Sequence, residues 1–267
     1  MADLRQKRLF LLDMDGTIYL DEQLFDGVPE FLRAVREKGG RYLFLTNNSS
    51  RGVEGYVEKM ARLGIETSRD DFLTSVDATV RHLKRHLKRH LPEKRCYVFG
   101  TRSFLQQLED AGIPVTTDRE AGVDVLLCGF DTELTFQKLE DACILLNRGV
   151  EWIATNPDWV CPTWYGSVPD CGSVCQMLTR ATGRKPLVIG KPRPAMVELA
   201  LEKTGFSPEQ AVIIGDRLYT DVACGVNAGI DSIFVLSGEG VLADIEEFDI
   251  HPTWVYQDIK RVWEDMR

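Results

Sequence analysis

Four apolar runs constrain this chain more than any other feature. LFLL, YLFLT, AVIIGD and DSIFVL, beginning at residues 9, 42, 211 and 231, are continuous rather than alternating. A strand with one wet face alternates apolar and polar residues. A continuous run fits a strand buried on both faces of a parallel sheet. Between such runs lie helical patterns. In GVPEFLRAVREKGG, Val28, Phe31, Leu32 and Val35 recur at helical spacing, and Gly39 and Gly40 stop the run. In RPAMVELALEKTGF, Met196, Leu199 and Ala200 form an apolar face. Strand, helix, strand in repetition predicts an α/β fold with a doubly wound, Rossmann-like parallel sheet.

The middle of the chain repeats this grammar independently. CYVFGT, VDVLLCGF and EWIATN read as strands, and RSFLQQLEDAG and FQKLEDACILLNRG read as helices. Boundaries are expected near Ser75 and near TGRKPLVIGKP. The predicted organisation is a core split in sequence, residues 1–76 and 184–267, around an inserted α/β cap at 77–183. A core tolerates such an insertion where chain ends lie close together.

The 267 residues are 44% hydrophobic and 27% charged, enough for a sizeable core and one or two domains. A net charge of −9 argues against nucleic acid as a partner. It leaves an anionic substrate open, because local cations decide that. No stretch approaches a membrane span, and MADLRQKRLFLLDMDG has too short an apolar run for a signal peptide, so a cytoplasmic location without membrane association is expected. The seven cysteines are odd in number and contain no C-x-x-C, so reduced structural thiols are expected. Cys171 and Cys175 have no matching second pair for a metal. RHLKRHLKRHL, residues 81–91, puts His82, His86 and His90 on one helix face. The flanking Lys84, Arg85, Lys88 and Arg89 would repel a cation, so a solvated basic face over a Leu83, Leu87, Leu91 stripe is expected.

The LFLL run leads straight into Asp13, with Asp15, Gly16 and Thr17 behind it. Two carboxylates about 5 Å apart repel by roughly 3 kcal/mol at an effective dielectric near 20. Alone, DMDGT reads as a strand ending in a turn. Three more apolar runs end in chemistry: YLFLTNNSS in Thr46, Asn47 and Asn48, LVIGKPRP in Lys191, and AVIIGDRLYTD in Asp216, with Asp221 five residues on. Individually, Lys191 reads as a surface lysine and TNNSS as a turn or helix cap. Together they matter, because the carboxyl ends of strands in an open parallel sheet converge on one crevice. A hard divalent cation, Mg²⁺ above all, would offset the carboxylate repulsion, and a phosphoryl group would complete its shell. Thr46 and Asn47 could donate hydrogen bonds to that group and Lys191 could neutralise charge. Gly16 would let loop amides approach the anion.

DMDGT, TNNSS, GKP and GDRLYTD, in this order, resemble the four motifs of the haloacid dehalogenase superfamily. The arrangement is similar to its NagD-like, p-nitrophenyl-phosphatase branch, which carries a large α/β cap between the second and third motifs. ATNPDWVCPTWYGSVPDCGS resembles that branch's substrate-facing region. The resemblance implies a Mg²⁺-dependent phosphatase acting on small phosphorylated metabolites, nucleotide, sugar or related phosphates, with p-nitrophenyl phosphate as an artificial substrate. Asp13 would be the nucleophile that becomes an aspartyl-phosphate, and Asp15 the acid and then base. Asp13, the main-chain carbonyl of Asp15 and Asp216 would hold the metal, with Asp221 acting behind them or through a water. Thr46 and Lys191 would hold the phosphoryl group. The oligomeric state is left open, although caps of this family can form homodimer contacts.

Asp15 separates reaction types. A dehalogenase needs an attacking aspartate but no acid two residues later, whereas an alkoxide leaving group needs one. A phosphomutase or phosphoryl transferase keeps both acids and stands as the alternative. A receiver-like signalling module also clusters acids and a lysine on a parallel sheet, but it is much shorter and has no such insertion. The core motifs leave little to read the rest of the substrate, so specificity is expected from the cap. The Pro-Asp turns carrying Asn156, Asp158 and Asp170 would offer it short hydrogen-bonding side chains.

Overall fold

The computed structural model describes residues 3–86, 94–163 and 165–267. It divides into two compact units. The larger comprises the chain up to Thr46, Val53–Leu73 and Lys191–Arg267, and the smaller comprises Asn47–Gly52 and Thr74–Gly190.

The larger unit is built on a six-stranded sheet in the order Trp254–Tyr256, Asp231–Val235, Ala211–Gly215, Leu9–Leu12, Arg41–Thr46, Phe72–Thr74. Leu9–Leu12 lies at its centre, parallel to both neighbours, with Leu12 opposite Ile214 on one side and Phe44 on the other. Every residue of Leu9–Leu12 and of Ala211–Gly215 is buried, which is what a continuous apolar run requires. Phe10 and Leu12 pack with Phe31, Leu32 and Val35 of the helix Val28–Glu37. Phe10 and Phe31 meet edge to face at 5.4 Å. Met196, Val197 and Ala200 of the helix Ala195–Thr204 are also buried. This register brings the residues that follow Leu12, Phe44 and Ile214 to one end of the sheet.

The smaller unit carries its own five-stranded parallel sheet, ordered Leu187–Val188, Glu151–Ala154, Val123–Cys128, Arg95–Phe99, Val115–Thr116. Helices Ser75–His86, Arg102–Asp110, Phe136–Asn147 and Cys171–Thr182 accompany it. Thr101, Thr135 and Asp170 cap the last three through their side-chain oxygens. An antiparallel hairpin joins Val160–Thr163 to Gly166–Pro169.

Residues 184–190, expected in the core, lie in the smaller unit, where Leu187–Val188 pairs with Glu151–Ala154 and completes its sheet. Residues 74–76 and the short segment Asn47–Gly52 also fall in the smaller unit. Lys191 therefore follows a strand of the smaller sheet, and the core strand it was expected to end does not exist.

All seven cysteines are free thiols. Cys171 and Cys175 sit 3.9 Å apart at their sulfurs, both buried. Hydrogen bonding by the neighbouring Cys128 and Cys171 thiols, with burial, holds the Cys175 thiol well above its usual range. Of the basic repeat, His82 and His86 are described, with rings 4.2 Å apart on one helix, and Leu83 of the same helix is buried. His90, Leu87, Leu91, Lys88 and Arg89 lie outside the described residues, as does Trp164. No helix among the described residues is long and apolar enough to cross a membrane.

Candidate active site

Four side chains of the larger unit converge where its central strands end. Asp13 follows Leu12, and its amide donates to Ile214 O at 2.9 Å. Asp216 follows Ala211–Gly215. Asp221 lies in the π-helical turn Leu218–Val222 just beyond. Such a turn is rare in proteins and frequent at functional sites. Ligand oxygens of Asp13, Asp216 and Asp221 all lie within 4.8 Å of one another. The Lys191 ammonium sits between two of them, 2.5 Å from Asp13 Oδ1 and 2.6 Å from Asp221 Oδ1, and donates to Leu45 O at 3.3 Å.

The electrostatics are unbalanced. Three carboxylates face one ammonium. Burial, then the Asp221 charge, pushes the Asp13 carboxyl well above the usual carboxylate range, despite the opposing pull of Lys191. Burial and Asp221 push Asp216 up to about 7. Burial works against the Lys191 charge, but Asp13 and Asp221 outweigh it and hold the ammonium more firmly protonated than usual.

The donor set fits a divalent cation. Asp216 is 2% exposed; its Oδ2 accepts from Glu239 N at 2.8 Å, while among the described residues its Oδ1 is buried without a hydrogen-bond partner. A buried orphan carboxylate oxygen beside a second carboxylate is costly unless a cation meets it. Asp221 differs. Its Oδ1 accepts from Lys191 and its Oδ2 from Arg217 N at 3.2 Å, so both oxygens already hold protein groups. That arrangement supports the cluster from behind and agrees with a role through a water.

The Gly16 amide donates to Tyr19 O at 2.8 Å, so an anion at this loop would be met by other amides of it. At φ +82°, with the Asp216 carboxylate where a Cβ would stand, glycine is required for the close approach. Gly238 packs against the same carboxylate from the other side, and Ser237 Oγ donates to Gly16 O at 2.7 Å. The SGEG segment, 237–240, was not singled out in the sequence. Its signal was available, since DSIFVL is another apolar run ending at the same edge of the sheet.

Thr46 ends its strand in the larger unit and is buried. Asn47, one residue on, falls in the smaller unit. Its side-chain amide donates to Asp158 Oδ1 at 3.2 Å, not toward an open anion site. Asp15 is the exposed member of the loop, with its side chain 54% exposed and Lys59 Nζ 3.9 Å from its Oδ1.

The smaller unit gathers the other expected residues, but not as surface turns. Asn156 is fully buried, and Asp158 and Asp170 are 5% and 4% exposed. The Asn156 amide donates to Asp158 Oδ2 at 3.1 Å and Asp170 Oδ1 at 3.0 Å. Thr155 Oγ1 donates to Asn156 Oδ1 at 2.8 Å, and Asp170 caps the Cys171–Thr182 helix. The segment Asn47–Gly52 closes over this network. Ser49 Oγ lies 3.1 Å from Thr155 Oγ1 and accepts from Phe130 N at 2.8 Å, and Thr101 Oγ1 donates to Ser50 O. These side chains are occupied in holding the smaller unit together.

Comparison with known proteins agrees with this geometry. A model of haloacid dehalogenase-like hydrolases matches residues 10–114, and a second hydrolase model of the same kind matches 188–262. A 4-nitrophenylphosphatase from Thermotoga maritima is 41% identical over 99% of both chains, with a TM-score of 0.91. A glycerol phosphate phosphatase from Mycobacterium tuberculosis, solved in complex with magnesium, is 30% identical over 100% of this chain and 80% of that one, with a TM-score of 0.90. NagD from E. coli K-12 is 31% identical over 97% and 98%, with a TM-score of 0.85. The chain belongs to the haloacid dehalogenase-like hydrolases. Within them it is a NagD-like phosphatase, a phosphoric monoester hydrolase with a Rossmann-like core and a separate α/β cap sheet.

Proposed function

We propose that this chain hydrolyses small phosphate monoesters with Mg²⁺ as its metal, through an aspartyl-phosphate on Asp13. The observation that carries the reading is the convergence of Asp13, Asp216 and Asp221 within 4.8 Å of one another, with the Lys191 ammonium on Asp13 and Asp221. The magnesium-bound relative, 30% identical, supports the choice of ion.

Asp13, the main-chain carbonyl of Asp15 and Asp216 would hold the ion. When bound, it supplies positive charge that offsets the carboxylates and the transferring phosphoryl group. Thr46 and Lys191 bind phosphoryl oxygens. An Asp13 oxygen attacks phosphorus in line, the ester P–O bond breaks, and the Asp15 carboxyl gives its proton to the departing alkoxide. Asp15, now a carboxylate, takes a proton from water as that water attacks phosphorus. The bond to Asp13 breaks and inorganic phosphate leaves. Lys191, locked against Asp13, orients the attacking carboxylate and neutralises charge at both stages.

Phosphate release from p-nitrophenyl phosphate, with Mg²⁺ and then with excess chelator, tests this. Turnover that stops on chelation and returns with Mg²⁺ supports the reading, and full turnover in chelator contradicts it. A panel of sugar, glycerol and nucleotide monophosphates ranked by kcat/KM then identifies the substrate class.

A further inference from the structure

We propose that Lys59 is a positioning residue for the Asp15 carboxyl, holding it aimed for proton transfer to the leaving group. This rests on the acid–base part given to Asp15 above. Lys59 comes from the helix Val53–Arg62, a different element from the Asp13–Thr17 loop. Two contacts fix its ammonium. It stands 3.7 Å from the centroid of the Tyr19 ring, and 3.9 Å from Asp15 Oδ1. Tyr19 is fully buried and belongs to the same loop, whose turn it closes by accepting from Gly16 N at 2.8 Å. The ring is therefore a rigid platform. A cation over a tyrosine face is attracted by the ring quadrupole.

The Lys59 side chain is only 14% exposed, although lysine is ordinarily among the most exposed residues. The Asp15 side chain is 54% exposed, and a side chain exposed to that degree has more than one staggered rotamer open to it. A fixed ammonium on one side biases it toward one of them. The effect is on geometry, and a misaimed acid loses rate steeply, because proton transfer needs near hydrogen-bond contact with the leaving oxygen.

The test is a double-mutant cycle read with two substrates. p-Nitrophenolate departs with little need of a proton, whereas the alkoxide of glycerol 3-phosphate needs one. Lys59→Met should lower kcat/KM for glycerol 3-phosphate about 10-fold, a fraction of the ~10²–10⁴ that a positioned acid–base contributes. It should lower kcat/KM for p-nitrophenyl phosphate, which reports enzyme phosphorylation and not the later hydrolysis common to both substrates, by a few-fold at most, and Lys59→Arg should restore most of the loss. In the Asp15→Asn background, Lys59→Met should do almost nothing further to kcat/KM for glycerol 3-phosphate, because the group it positions is gone. Equal losses on both substrates, or the same loss with and without Asp15, would overturn the proposal while leaving Asp15 in its role. If Asp15→Asn itself fails to discriminate between the two substrates in kcat/KM, the acid part given to Asp15 falls and this inference with it. Lys59→Gln, with thermal melting of each variant, guards against loss of fold.

Discussion

Asp216 carries two burdens at once: its carboxyl is buried beside Asp221, and one of its oxygens has no hydrogen-bond partner among the described residues. Its pKa of about 7 stands well above the 3.8 of an ordinary aspartate. A raised carboxylate pKa favours the folded, metal-free protein at low pH, and that contribution fades as pH rises through about 7. Metal binding needs the carboxylate, so proton and ion compete. The apparent affinity for Mg²⁺ should fall at least tenfold per pH unit below 7, with one proton released per ion bound on account of Asp216 and a further one wherever Asp13, also raised, is protonated. Calorimetric titration with Mg²⁺ on either side of neutrality checks this. A pH-independent affinity across that window would contradict the assignment of Asp216 as a ligand. At this scale the acids and Lys191 were legible because each ends an apolar run or lies just beyond one. Lys59 was not, since a lysine on an amphipathic helix reads as exposed until the Tyr19 ring beneath it is seen.

At the scale of elements, the ends of helices and strands followed local signals closely. Val28, Phe31, Leu32 and Val35 line the buried face of Val28–Glu37 as their spacing predicts. What sequence could not supply was which sheet an apolar run joins. LVIG looks like any core strand, and only its pairing with Glu151–Ala154 puts it in the smaller sheet. The burial of the Pro-Asp turns was hidden for a related reason. Such turns are usually wet, but here a segment 111 residues away in sequence reaches Asp158 and covers it. Their burial gives these residues a part in stability, whatever part they have in reading substrate. Asn156→Ala leaves two buried carboxylates each short of a donor, at about 1–3 kcal/mol apiece or somewhat more for charged acceptors. Hydrogen exchange should show the smaller unit opening more readily, with loss of protection over the N-terminal turn of Cys171–Thr182. A fully stable variant with a reordered substrate ranking would instead return Asn156 to substrate reading.

On the scale of the whole molecule, two parallel sheets were built from the same grammar, yet the three-acid group lies at the end of only one of them, among the described residues. A ligand that binds the folded but not the unfolded chain stabilises it, by about 2.7 kcal/mol at one hundred times its dissociation constant. Mg²⁺ should therefore raise the melting temperature of the wild type and protect the larger unit from proteolysis, and Asp216→Ala should abolish both effects. A thermal shift that survives Asp216→Ala would place the ion elsewhere.

The covalent role of Asp13 is the centre of this account, and trapping the phosphorylated enzyme reaches it most directly. Asp15→Asn slows hydrolysis of the intermediate by removing the base, while p-nitrophenyl phosphate still forms it because its leaving group hardly needs an acid. That variant should be mixed with p-nitrophenyl phosphate and Mg²⁺, quenched in acid and mapped by peptide mass. The account predicts a burst of p-nitrophenol and one phosphoryl group per chain, on the peptide containing Asp13, released by hydroxylamine. Sustained release of p-nitrophenol with Asp13 unmodified at every time point would contradict it.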